Sequence, residues 1–132
     1  DANTSTFAQA TAAQYLAAGR LPGTLAQVRS VYAQRAQTMC SALEDGLGAA
    51  LDFVAPQGGL FVWARLTGAD GALANASEWN QRCVTKGVAF VPGAPFFATH
   101  ADAATLRLSF ATADVEKIFE GVERMTQALL LR

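Results

Sequence analysis

From Leu25 to Leu43 the apolar residues fall at spacings of three and four, through Val28, Tyr32, Ala36 and Met39. From Thr105 to Phe110 they fall at every second position. The first period is that of a helix with one buried stripe, and the second is that of a strand with one buried face. A chain carrying both has to lay helix stripes against a sheet, which selects an α+β sandwich over an all-helical or all-strand fold. At 132 residues and 52% hydrophobic content there is enough apolar material for one such core and not for two.

The remaining elements follow from caps and breakers. Thr4, Ser5 and Thr6 offer hydroxyls to cap a first helix that runs through Phe7, Ala10, Tyr15 and Leu16 and stops at Gly19. Leu21, Pro22 and Gly23 form a break before the long helix, which Gly46 and Gly48 end. Leu51 to Val54 alternates as a short strand cut off by Pro56, and Gln57, Gly58 and Gly59 make a turn. Leu60 to Ala64 is apolar without interruption, which predicts an interior strand covered on both faces before Arg65 returns to water. After a loop at Gly68, Asp70 and Gly71, a helix carries Leu73, Trp79, Cys83 and Val84 and ends at Gly87. Val88 to Val91 reads as a further buried strand. Pro92, Gly93, Ala94 and Pro95 then force a turn that pushes Phe96 and Phe97 outward.

Beyond a polar loop from Ala98 to Ala104, alternation puts Leu106, Leu108 and Phe110 on one face and Thr105, Arg107 and Ser109 on the other. Thr112 or Asp114 caps a closing helix with Val115, Ile118, Phe119, Val122, Met125 and Leu129 inward and Glu120 paired with Arg124 outside. The expected order is helix, helix, strand, strand, helix, strand, strand, helix: about four strands with helices mainly on one face, in a single domain spanning residues 1–132.

Charge excludes some partners. Ten basic residues against eleven acidic ones, with no basic run, leave no footprint for nucleic acid or an anionic membrane surface. No apolar stretch approaches the roughly 20 residues that cross a bilayer. Cys40, Cys83 and the lone His100 have no metal-ligand spacing, so both cysteines read as reduced core thiols of a cytoplasmic protein. The polar opening at Asp1, without an initiator Met, reads as a piece of something longer.

Few residues offer chemistry. Arg107, mid-strand between leucines, must point to solvent or meet a planar anion with both prongs of its guanidinium, and alternation alone favours solvent. Lys86 borders a turn and Lys117 lies on a charged helix face, neither of them a desolvated pocket for a nucleophilic amine. His100 with Asp102 suggests a base and its orienter, but no nucleophile stands at a recognisable spacing. Gly58 and Gly59 precede a strand, so they lack the helix N-terminus of a phosphate cradle. No complete catalytic set is present in the chain.

Three segments carry a resemblance that spans essentially the whole sequence: Pro56 to Trp63 (PQGGLFVW), Gly87 to Phe96 (GVAFVPGAPF) and Leu106 to Phe110 (LRLSF). In order and spacing they resemble the class I/II pyridoxal-phosphate aminotransferases. Ser5 to Gln9, Tyr32 with Arg35, and Ile118 to Val122 are similar to the aminoadipate and kynurenine aminotransferase branch. The resemblance implies the C-terminal small domain (residues 24–132) with a connecting helix (1–19). It also implies a parent that moves an amino group between an amino acid and a 2-oxo acid, works as a homodimer, and binds pyridoxal 5′-phosphate mainly through a domain not in this chain.

By the same resemblance the Schiff-base lysine lies elsewhere, so neither Lys86 nor Lys117 inherits it and the chain alone does not transaminate. Arg107 matches the arginine that clamps the substrate α-carboxylate, and Phe96 a wall of the substrate pocket, with Phe97 as support or core. Thr4 to Thr6 resembles a segment near the neighbouring subunit, and Trp63 a structural core residue. The alternative implied by the same likeness is the effector domain of a winged-helix regulator of aminotransferase descent.

Overall fold

Both periods become the elements that they predict in the computed structural model, which describes residues 5–68 and 73–130. Helices α1 (Thr6–Ala17) and α2 (Leu21–Leu47) are followed by strands β1 (Leu51–Phe53) and β2 (Phe61–Leu66), helix α3 (Ala76–Thr85), strands β3 (Val91–Pro92) and β4 (Thr105–Ser109), and helix α4 (Val115–Leu130). The loop expected at Asp70 and Gly71 lies outside the described residues. By contacts the chain divides into two compact units, Asp1–Val31 and Tyr32–Arg132.

In the first unit α1 buries none of its residues, and Phe7 is 82% exposed. Ser5 stands at its N-cap without a side-chain capping bond, so the expected hydroxyl cap is not made there. Gly19, at φ +65°, ends the turn after α1. Pro22 and Gly23 do not break the chain before α2 but lie in its first turn, where the amide that proline lacks would have had no intrahelical partner.

The second unit holds the sheet. All pairs are antiparallel, in the order β1-β2-β4-β3. Val62, Ala64 and Leu66 of β2 and Leu106 and Leu108 of β4 point to one side. There they share a core with Met39, Leu43 and Leu47 of α2, Trp79 and Cys83 of α3, and Ile118, Val122 and Met125 of α4. Asn75 caps α3, its Oδ1 accepting from the amides of Ser77 at 3.0 Å and Glu78 at 3.2 Å. Asp114 does the same for α4 through the amide of Lys117.

Further expectations need correction, among them Phe119 of α4, which is 50% exposed and not turned inward. β2 is interior, as predicted, but only one of its faces is covered: Phe61 and Trp63 are each 41% exposed on the other. The strand expected over Val88–Val91 is only Val91–Pro92, because the amide of Val88 bonds to the Cys83 carbonyl and that of Phe90 to Asn80 Oδ1. Those donors are spent on α3 before a ladder can use them, and Pro92, which has none, suits the sheet edge. Thr105 is buried, not turned to water with Arg107 and Ser109, and its hydroxyl donates to the Asp102 carbonyl at 2.7 Å.

Cys40 and Cys83 are free and buried. Burial pushes the Cys83 thiol up to about 11, and burial followed by the charge of Glu44 raises that of Cys40. A thiol whose pKa is higher folded than unfolded contributes stability that is complete below the unfolded value of 9.0. That contribution is lost as pH rises through about 11, because the unfolded chain releases its proton first. Denaturation of wild type and Cys83→Ala across this window should therefore show the wild-type advantage narrowing from pH 9.0 upward, and a constant difference would refute the linkage.

Candidate functional site

The uncovered side of the sheet is where the residues of interest meet. β4 lies between β2 and β3, and its register aligns Trp63, Arg107 and Val91 in one row across three strands. Antiparallel neighbours in register share a face, so the row projects away from the helices together with Phe61, which pairs with Ser109 and stands diagonal to Arg107. Val91 is 42% exposed, and Arg107 is half-buried.

Arg107 Cζ lies 4.3 Å from the centroid of the Phe61 ring and 4.7 Å from that of Phe96. Trp63 meets Phe96 edge-on at 5.9 Å between centroids and Phe97 at 6.2 Å. Among the described residues Arg107 has no acidic partner, whereas Arg65, two residues beyond Trp63, is paired through Nε with Asp102 at 2.8 Å. The open face thus presents a cation whose charge is balanced by no carboxylate of the described chain, held among aromatic rings that leave the charge intact.

The turn that brings Phe96 here is built on a close backbone approach. The Gly93 amide donates to the Thr105 carbonyl at 2.7 Å, and the Phe96 amide to the Gly93 carbonyl at 2.9 Å. A Cβ at Gly93 would stand 2.8 Å from Thr105 Cβ and 3.0 Å from its carbonyl carbon, so only glycine lets the turn seat against β4. The three-residue 3₁₀ turn Ala94–Phe96 then delivers the ring, and Phe96 and Phe97 remain 52% and 39% exposed, outward as the turn predicts.

The other candidates fall elsewhere. Asp102 does not orient His100. Its carboxylate accepts from Arg65 and from the Ala104 amide, and the Arg65 hydrogen bond foremost holds its pKa below the usual carboxylate value. Lys86 caps the C-terminus of α3, and Lys117 pairs with Asp114 at 3.7 Å at the start of α4. Arg35 donates through Nη1 to the Ala111 carbonyl at 2.5 Å, tying α2 to the segment that follows β4, while Tyr32 meets Phe110 edge-on at 6.5 Å. Sequence reading missed Phe61 and took Trp63 for core. The signal available was parity, since Phe61, Trp63 and Arg65 alternate with the buried Val62, Ala64 and Leu66, but an unbroken apolar run conceals it.

Residues 2–125 match the family model of class I and II aminotransferases. The chain belongs to that family. Among relatives of this aminotransferase chain, the 2-aminoadipate transaminase of Thermus thermophilus is 44% identical over 108 residues, 80% of this chain and 25% of that protein. The aromatic-amino-acid aminotransferase 1 of Thermococcus litoralis is 36% identical over 98% of this chain and 30% of its own. Of solved structures, the multiple substrate aminotransferase of Thermococcus profundus superposes with TM-score 0.82 at 34% identity, over 94% of this chain and 30% of that one. The α-aminoadipate aminotransferase of Thermus thermophilus, complexed with N-(5′-phosphopyridoxyl)-L-leucine, superposes with TM-score 0.77 at 41% identity, over 86% and 28%. The chain therefore spans between a quarter and a third of the length of these relatives.

The family implies pyridoxal phosphate. The described residues supply no amine to carry it: neither Lys86 nor Lys117 is on the strands or the turn that surround Arg107, and Lys117 is 71% exposed.

Proposed function

We propose that this chain is the C-terminal small domain of a pyridoxal-phosphate aminotransferase that exchanges an amino group between an amino acid and a 2-oxo acid, and that Arg107 receives the substrate α-carboxylate. The observation that carries the reading is the Arg107 guanidinium itself, which stands on the open sheet face against two aromatic rings with no acidic partner among the described residues. A planar fork of N–H donors grips a carboxylate with two parallel bonds, fixing its plane as well as its place. A substrate held by its acid end has little rotational freedom left about its α-carbon, and that orientation is this domain's contribution to rate.

When bound, the cofactor supplies the electron sink for that carbon. Phe96 forms one wall of the pocket for the substrate side chain, and its exposed ring, with Trp63 and Phe97 behind it, favours apolar and aromatic groups.

In this reading residues 1–19 connect to the cofactor domain and 24–132 form the small domain, while contacts divide the chain later, after Val31 and within α2. The whole enzyme is a homodimer in the cytoplasm. The apolar Phe7, Leu16, Leu21 and Leu25 left exposed in the first unit support an interface, and two free buried cysteines support a reducing compartment. That the matched relatives are transaminases favours the enzyme over a winged-helix regulator.

The test is the full-length protein with a panel of amino donors and 2-oxoglutarate, followed by the absorbance of its cofactor. Aromatic and long apolar donors should shift that absorbance, and residues 1–132 alone should turn over none of them. A full-length protein that binds the cofactor but responds to no amino acid would overturn the proposal.

A further inference from the structure

We propose that Phe61 is a positioning residue for the substrate carboxylate, acting through Arg107: its ring face holds the guanidinium in the plane that a carboxylate needs. The inference rests on the reading of Arg107 given above.

An arginine side chain carries about 2 kcal/mol of rotamer entropy, so an unheld guanidinium on an open face would occupy many orientations. Proteins commonly restrain such a group with an acid, but an acid also neutralises the charge that a substrate is meant to meet. An aromatic face restrains it without doing so, because the attraction is between cation and ring quadrupole and the in-plane N–H donors stay free.

Phe61 has the closer ring, 4.3 Å from Arg107 Cζ against 4.7 Å for Phe96. It is also the better anchored, since it belongs to the interior strand β2 and its register against Ser109 sets it diagonal to Arg107, whereas Phe96 rides on a turn. Packing among the described residues gives no reason for an aromatic here. Phe61 is 41% exposed on the face opposite the core, where any strand-forming residue would serve the fold.

The test uses the full-length protein and calorimetric binding of 3-phenylpropanoate compared with its neutral amide, a pair that differs only in the group that Arg107 receives. Phe61→Leu should weaken the carboxylate by about two- to fivefold and leave the amide almost unchanged. Phe61→Tyr, which keeps the π face, should bind the carboxylate as wild type does.

Pentafluorophenylalanine at position 61 keeps the shape but inverts the quadrupole, and it should behave as leucine does. Carboxylate binding at wild-type strength in that fluorinated protein would mean that Phe61 only packs, and the proposal fails alone. If Arg107→Leu in the same experiment leaves the carboxylate preference intact, the assignment of Arg107 fails and the role of Phe61 falls with it. Thermal melting of each variant separates misfolding from lost binding, and Phe61→Tyr supplies the folded reference.

Discussion

With leucine in place of Arg107, the full-length protein should keep its fold and lose catalytic efficiency toward amino acids by a factor of roughly thirty to several thousand. The range follows from the cost of about 2 to 5 kcal/mol for removing one partner of a hydrogen-bonded charge pair, at 1.4 kcal/mol per tenfold. Stability should fall by no more than about 1 to 2 kcal/mol. Arg107 makes no ion pair among the described residues, and what its side chain gives the fold is two cation–ring contacts of about 0.5 to 1 kcal/mol each at an exposed site. Leucine also suits a strand whose backbone pairing with Trp63 and Val91 does not involve the side chain.

Steady-state kinetics beside a melting curve read the two effects separately. A variant with near-native kcat/KM would remove Arg107 from the site. Arg107→Lys makes a sharper comparison, because it keeps the charge while losing the fork and the flat face that Phe61 and Phe96 lie against. It should recover only part of the loss.

How much of this was legible beforehand depended on whether a feature is local. The helix of α2, the strand of β4 and the stop at Gly87 are properties of adjacent residues and appear where the spacing puts them, although Leu25 and Val28 of the α2 stripe stay exposed and Thr105 of β4 is buried. β3 was misread because the competing acceptors are not in its own segment: the Cys83 carbonyl and Asn80 Oδ1 belong to α3, and no pattern in Val88–Val91 announces them.

The site failed to show in a different way. Arg107 could be singled out as an arginine between leucines, but its surroundings come from register, with Trp63 beside it from β2, 44 positions earlier, and Val91 from β3. Whether Phe61 and Trp63 face a core or an open surface cannot be read from Leu60–Ala64, since an apolar run looks the same whether its second face is covered within the chain or left for substrate and another domain. The resemblance to the aminotransferases supplied Arg107 and Phe96, while only the pairing of strands revealed Phe61.

Trp79 should show the opposite behaviour to Arg107, with a large loss of stability from a residue that touches no substrate. It is fully buried on α3, its ring centroid lies 5.0 Å from that of Phe90, and its Nε1 donates to the Met125 carbonyl of α4 at 3.1 Å. One side chain thus joins α3, α4 and the segment leading into β3. Truncating a buried tryptophan to alanine costs about 3 to 5 kcal/mol, against whole-domain stabilities of about 5 to 15 kcal/mol.

Trp79→Ala should therefore lower the denaturant midpoint of the chain, followed by far-UV circular dichroism, by a large fraction of its value. Trp79→Phe keeps most of the volume and gives up the indole N–H, a net loss of about 0.5 to 1.5 kcal/mol. Because β3 and the Gly93 turn follow directly from this packing, Trp79→Phe should also loosen the seat of Phe96 and weaken substrate binding slightly while Arg107 itself is untouched. A midpoint for Trp79→Ala within experimental error of wild type would mean that α3 and α4 are held together by something other than this indole.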